Sequence, residues 1–180
     1  WQKDKEVYIV SGGSFPRLID QLTRKIIEQT KGVFSCMGNA HYKKIKDIDG
    51  YSSWALQYKN KFTVAKPKLF FSELERCVMN SDYHTNVGRH YEERTGMVNF
   101  SIVGLDATPE QRKEYAAYDK QHKEREQIVK KLSSKYSKLD FVIGGAVSID
   151  IFNKGNDKSQ VIKHFEDKLK DHRIVFVGDR

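Results

Sequence analysis

Val7, Tyr8, Ile9 and Val10 follow one another without alternation. That pattern predicts a strand covered on both faces of a parallel sheet. The run stops at Ser11-Gly12-Gly13-Ser14, and the period then changes. Leu18, Ile19, Leu22, Ile26 and Ile27 share one helical face up to about Thr30, and Pro16 suits the first turn. Gly32 ends that helix, and "VFSC" is a second short strand. Strand, Gly/Ser turn and helix make half of a βαβ unit.

Polar alternation takes over in the middle of the chain. "NAHYKKIKDIDGYSSWALQY" reads as a hairpin turning at Asp49-Gly50, and a helix begins near Pro67. "RHYEERTGMVNFSIV" is a second hairpin, turning at Thr95-Gly96, from an antiparallel sheet with one wet face. Thr108-Pro109-Glu110-Gln111 is a capping-box helix start, and the helical pattern runs to about Tyr136. Strands "LDFVIGG" and "AVSIDIF" follow, then a helix from Lys158 to Leu169 and a last apolar strand, "RIVFVGD". The pattern predicts an α/β protein. A doubly wound parallel core comes from residues 1–39 and 151–180, and an inserted α+β segment over 40–150 carries an antiparallel sheet.

Composition narrows the function classes. No apolar run approaches the roughly 20 residues of a membrane helix, and the first residues lack the pattern of a secretory leader. Cys36 and Cys77 have neither CxxC spacing nor a histidine cluster nearby, so free thiols in a reducing cytosol are expected. The net charge of +8 suits an anionic partner. It is spread over helices such as "KQHKEREQIVKK" rather than interleaved with aromatics, which argues against a nucleic-acid binder.

Several local constellations carry chemistry, each beside a plainer alternative. Ser11 to Ser14 suits anion binding, with backbone N–H groups exposed at a helix start, or it is an ordinary β–α turn. Lys158 opens a helix against the macrodipole, which a nearby anion would justify, while Asp157 before it serves as a cap. Asp179 follows a strand, where a carboxylate can hold Mg²⁺ or simply sit in a turn. Arg94 on a hairpin and Arg112 in a first helical turn suit bidentate phosphate contacts, or are surface charges.

Taken in order, "RTGMVNFSIVG", "PEQRKEY", "VIGGAVSIDIF", "GNDKSQVI" and "VFVGD" resemble the haloacid dehalogenase superfamily, specifically the eukaryotic-type phosphomannomutases. "VYIVSGGSF" resembles the superfamily's second motif, and residues 40 to 90 match poorly. The resemblance implies a Rossmann-like core bearing an α+β cap, with a hexose phosphate clamped between them in a cytoplasmic, Mg²⁺-dependent phosphotransferase that dimerises through its cap. It implies that Ser11 hydrogen-bonds the reacting phosphoryl group beside Gly12, that Lys158 neutralises it and that Asp179 is a metal carboxylate. Arg94, Arg112, Ser148 and Asp150 would bind substrate.

Two departures from the family pattern bear on activity. Leu105 stands where the family has a third cap arginine, which favours a sugar-phosphate phosphatase as the alternative to a mutase. The nucleophilic DxDxT motif would precede Trp1, and further acidic metal ligands would follow Arg180. The 180 residues are therefore expected to be an excerpt of a longer protein, inactive alone. A non-catalytic phosphosugar-binding module is the third reading.

Overall fold

In the computed structural model, which describes residues 5–46 and 52–178, the strands form two four-stranded sheets. Strand β1 (Tyr8–Val10) pairs in parallel with β2 (Gly32–Ser35), Ile9 opposite Val33. The helix expected between them is two helices, α1 (Phe15–Gln21) and α2 (Arg24–Glu28). Leu22 and Thr23 are extended, and the Thr23 hydroxyl accepts from Ile26 N to start α2. A threonine that bonds its own backbone competes with helix continuation. Strand β1 is half-buried rather than covered on both faces, and among the described residues it lies at the outer position of its sheet.

The first hairpin joins this sheet instead of the inserted segment. Strand β3 (Ala40–Lys46) pairs antiparallel with β2, and β4 (Ser52–Lys59) pairs with β3. The order is β1-β2-β3-β4. Its expected turn at Asp49-Gly50 lies outside the described residues. Alternation announces a hairpin but not the sheet it joins. Here the reversal is so tight that β3 must lie beside β2: Cys36 and Met37 adopt φ of 51° and 62°, and Asn39 N already returns to Cys36 O at 3.0 Å. The sheets therefore divide the chain near residue 60, not near residue 39.

The second sheet is wholly antiparallel. It holds β5 (Tyr91–Arg94), β6 (Met97–Ser101), β7 (Leu139–Gly144) and β8 (Ser148–Asn153) in the order β5-β6-β8-β7. Alternate residues, among them Val98, Phe100, Ile149, Ile151 and Phe141, face inward. They meet Phe70, Leu74, Tyr115, Ile128 and Leu132 from helices α3 (Pro67–Met79), α4 (Pro109–His122) and α5 (Glu124–Lys135). The expected helix from Thr108 to Tyr136 is broken at Lys123, which is left-handed. Asp119 accepts from both Arg125 N and Arg125 Nε at 2.8 Å. The two side chains are 10% and 11% exposed. This tertiary pair overrides a helical pattern that runs straight through.

From Lys158 to Lys170 the chain forms the expected helix, and it is a 3-10 helix. Val161 is buried, and His164 and Phe165 set their rings edge-on against Phe34 at 5.2 and 5.8 Å. Residues 173–178 form no strand, although their pattern predicts one. Val175, Phe176 and Val177 are exposed, with no strand paired to them among the described residues.

Two linkers, 60–66 and 154–157, join the sheets, and buried Asn39 ties both. Its Oδ1 accepts from Asn60 Nδ2 at 3.0 Å and Asn156 Nδ2 at 3.1 Å, while its Nδ2 donates to Cys36 O at 2.8 Å. Beside it, Cys36 and Met37 pack on Met97 and Phe152 in an apolar cluster that bridges the sheets. Among the described residues, no helix is long and apolar enough to cross a membrane.

Candidate functional site

Strand β1 leads straight into Ser11-Gly12-Gly13. The Ser11 hydroxyl accepts from Gly13 N at 3.1 Å, which leaves its hydrogen free to donate. The loop is fixed from behind, since Met37 N donates to Ser11 O and Cys36 N to Gly13 O, both at 2.9 Å. Left-handed backbone at two successive non-glycine residues costs about 1 kcal/mol or more each. These hydrogen bonds and the burial of both side chains offset that strain. Burial also raises the pKa of the Cys36 thiol, which keeps it protonated.

Facing this loop is the polar side of the second sheet. Arg94 donates from Nε to Glu92 Oε2 at 2.5 Å, from Nη2 to Asn99 Oδ1 at 3.5 Å and from Nη1 to Gly12 O at 3.5 Å. The last contact joins the two sheets directly. Asn99 and Asp150 are paired across β6 and β8, and Asn99 Nδ2 donates to Asp150 Oδ1 at 2.7 Å. A Cβ at Gly144 would lie 2.6 Å from Asp150 Oδ2, and one at Gly12 3.5 Å from the same atom. Burial raises the pKa of Asp150, opposed by the Asn99 hydrogen bond and by the charges of Arg94 and Lys158.

Lys158 is exposed at the start of the 3-10 helix, close enough for its charge to act on Asp150. It has no hydrogen-bond or ion-pair partner among the described residues. Asp157 caps that helix by accepting from Ser159 N at 2.7 Å, so the plainer reading of Asp157 holds. Ser148 lies two positions before Asp150, on the same face of β8, and donates to Gly144 O at 2.9 Å.

Ser11, Gly12, Arg94, Asp150 and Lys158 thus converge, with Ser148 beside them. Arg112 does not join this group. Its Nε donates to Ala107 O at 3.0 Å and its Nη2 to Leu105 O at 2.5 Å. A first-turn cation here closes its own entry loop. Leu105 is half-buried, and its N–H donates to Arg89 O at 2.7 Å. Asp179 lies outside the described residues.

Glu92 and Asn99 were not foreseen from the sequence. Asn99 carries a signal in retrospect, because it is a carboxamide inside the otherwise apolar strand "MVNF" and is 6% exposed. A buried amide needs partners. Its partners are visible only once the register of β6 against β8 is known.

Two cations, a carboxylate with one oxygen open and a free hydroxyl donor suit a ligand that bears an anionic group and hydroxyls. Among the described residues, no three His, Cys, Asp or Glu side chains gather into a metal-binding group.

The family model described as eukaryotic phosphomannomutase matches residues 2–180. The chain is 30% identical over 175 residues to the phosphomannomutase of Drosophila melanogaster, covering 96% of this chain and 67% of that one. It is 31% identical over 176 residues to that of Spinacia oleracea, covering 97% and 68%. Against that of Saccharomyces cerevisiae it is 31% identical over 177 residues, covering 95% and 66%. It spans about two thirds of the length of these relatives. On these matches, and on a family model that spans all but its first residue, the chain belongs to the eukaryotic phosphomannomutase family.

Proposed function

We propose that this chain holds the substrate of a haloacid-dehalogenase-type phosphotransferase that interconverts hexose 1- and 6-phosphates. The reaction would pass through an aspartyl-phosphate whose nucleophile lies outside the 180 residues. The observation that carries this reading is the meeting of Arg94 and Asp150 with the Ser11–Gly12 loop and Lys158. It is supported by relatives that are named phosphomannomutases.

In this reading Ser11 donates its hydroxyl hydrogen to a phosphoryl oxygen. Lys158 meets the negative charge that develops on the transferring group. Arg94 binds a phosphate oxygen, and Asp150 accepts from a sugar hydroxyl, with Ser148 next to it. Arg112 would bind the distal phosphate only after releasing the carbonyls of Leu105 and Ala107. A Mg²⁺ ion would polarise the phosphoryl group. Asp179, its expected ligand here, is outside the described residues. A cytoplasmic enzyme dimerised through its cap belongs to the same reading.

Leu105 favours a second reading, a sugar-phosphate phosphatase. A mutase must hold a bisphosphorylated intermediate in two orientations, and each missing guanidinium removes a charge-assisted contact. The test is an assay of the full-length protein with hexose 1-phosphate, Mg²⁺ and a hexose bisphosphate activator. Isomerised hexose 6-phosphate supports the mutase, and free phosphate alone supports the phosphatase. Binding without turnover supports a phosphosugar-binding module, and an absence of binding sinks all three.

A further inference from the structure

The guanidinium of Arg94 and the carboxylate of Asp150 come from strands that never pair with each other, since β6 lies between β5 and β8. One side chain on β6 touches both. The Asn99 carboxamide accepts from Arg94 Nη2 through its oxygen at 3.5 Å and donates to Asp150 Oδ1 through its nitrogen at 2.7 Å. We propose that Asn99 is the positioning residue of the site: one amide fixes the spacing between the phosphate-binding cation and the hydroxyl-binding carboxylate, and keeps Asp150 Oδ2 open for the sugar. The proposal deepens the phosphosugar reading and rests on it for the identity of the ligand.

Three features of the site support it. A carboxamide has a donor and an acceptor at opposite corners, so it can serve a cation and an anion together, which neither an acid nor a hydroxyl does as well. Arg94 is fixed on its other side by Glu92, so the guanidinium is held from two directions. Oδ2 of Asp150, the oxygen that Asn99 leaves unused, faces Gly12 and Gly144, and a side chain at Gly144 would crowd it, with a Cβ at 2.6 Å. The charged groups that act on Asp150 are Arg94 from β5 and Lys158 from the 3-10 helix, with Glu92 neutralising part of Arg94.

The test compares wild type with Asn99→Ala and Asn99→Asp in the full-length protein. Hexose 1-phosphate affinity is measured by titration calorimetry from pH 5.5 to 8, and the Asp150 carboxyl is followed by carbon NMR without ligand. Asn99→Ala should weaken binding by roughly tenfold or more at every pH, the range for loss of a hydrogen bond to a charged group. It should also move the Asp150 titration upward. Asn99→Asp should place two carboxylates in contact, so that they share a proton. Its affinity should recover towards wild type as pH falls and collapse as pH rises, a profile that a general loss of packing would not produce. Equal affinity in Asn99→Asp and wild type across the range overturns the proposal, as does an Asp150 titration that Asn99→Ala leaves unmoved. If wild type binds no hexose phosphate, the phosphosugar reading fails, and the NMR titration still decides whether Asn99 governs Asp150.

Discussion

His41 should make the protein acid-sensitive well before its carboxylates do. The ring is 3% exposed on β3, stacked on Phe34 at 4.2 Å and met edge-on by His164 at 4.4 Å. Neither of its nitrogens has a hydrogen-bond partner among the described residues. Burial, with the nearby charges of His164 and Lys43, pushes its pKa down from 6.5 to about 4. Such a group favours the unfolded chain as soon as that chain can take the proton. The cost is absent above pH 6.5, where both states are neutral, and it grows as pH falls through the window down to about 4. Linkage gives a loss of about 2 kcal/mol by pH 5 and a limit of about 3 kcal/mol in more acid solution. Urea denaturation of wild type and His41→Leu at half-unit steps from pH 7.5 to 4.5 isolates the effect, because every other titrating group is common to both. Wild type should lose about 2 kcal/mol more than the variant between pH 7.5 and pH 5. Parallel stability curves would falsify the assignment of a neutral, unpartnered His41.

Three further outcomes follow from the geometry. Gly144→Ala should leave the urea midpoint nearly unchanged but weaken hexose 1-phosphate binding about tenfold, since its methyl collides with Asp150 Oδ2; an unaltered calorimetric affinity would remove Asp150 from the site. Asp119→Ala leaves the Arg125 guanidinium buried without its partner and should cost about 3 kcal/mol, seen as a drop of several degrees in Tm. Leu105→Arg should strengthen binding of a hexose bisphosphate more than that of a monophosphate, and no difference between the two would argue that position 105 lies away from the distal phosphate.

What the sequence discloses here is mainly what neighbouring residues decide among themselves. The hairpin at Thr95-Gly96 and the Thr108–Gln111 capping box are local, and both form as expected. The parallel pair of β1 and β2, and the separate antiparallel sheet, follow from the two hydrophobic periods. Distant contacts decide the rest. The α4–α5 break depends on Arg125 reaching back to Asp119, and the allegiance of β3 depends on a reversal in which Cys36 and Met37, neither of them a glycine, take positive φ ahead of Gly38. Segment 173–178 has a strand's pattern but pairs with no strand among the described residues, and a strand exists only in pairing. Of the site, Arg94, Asp150, Ser11 and Lys158 were visible as motif residues. Asn99 was not, because its role lies in a cross-strand register that no single segment encodes.

The Asn39 amide has a consequence for how this chain can change in length. Both crossings between the sheets are pinned to one side chain, through Asn60 on the way out and Asn156 on the way back. The second sheet is therefore attached at one pivot rather than at two independent tethers. An insertion in one linker alone would pull that crossing off its amide and shift Arg94 and Asp150 relative to Gly12. Evolutionary drift in linker length should then be confined to paired changes, the more so because Thr63 in the first linker is also bonded to Asn153 at the end of β8.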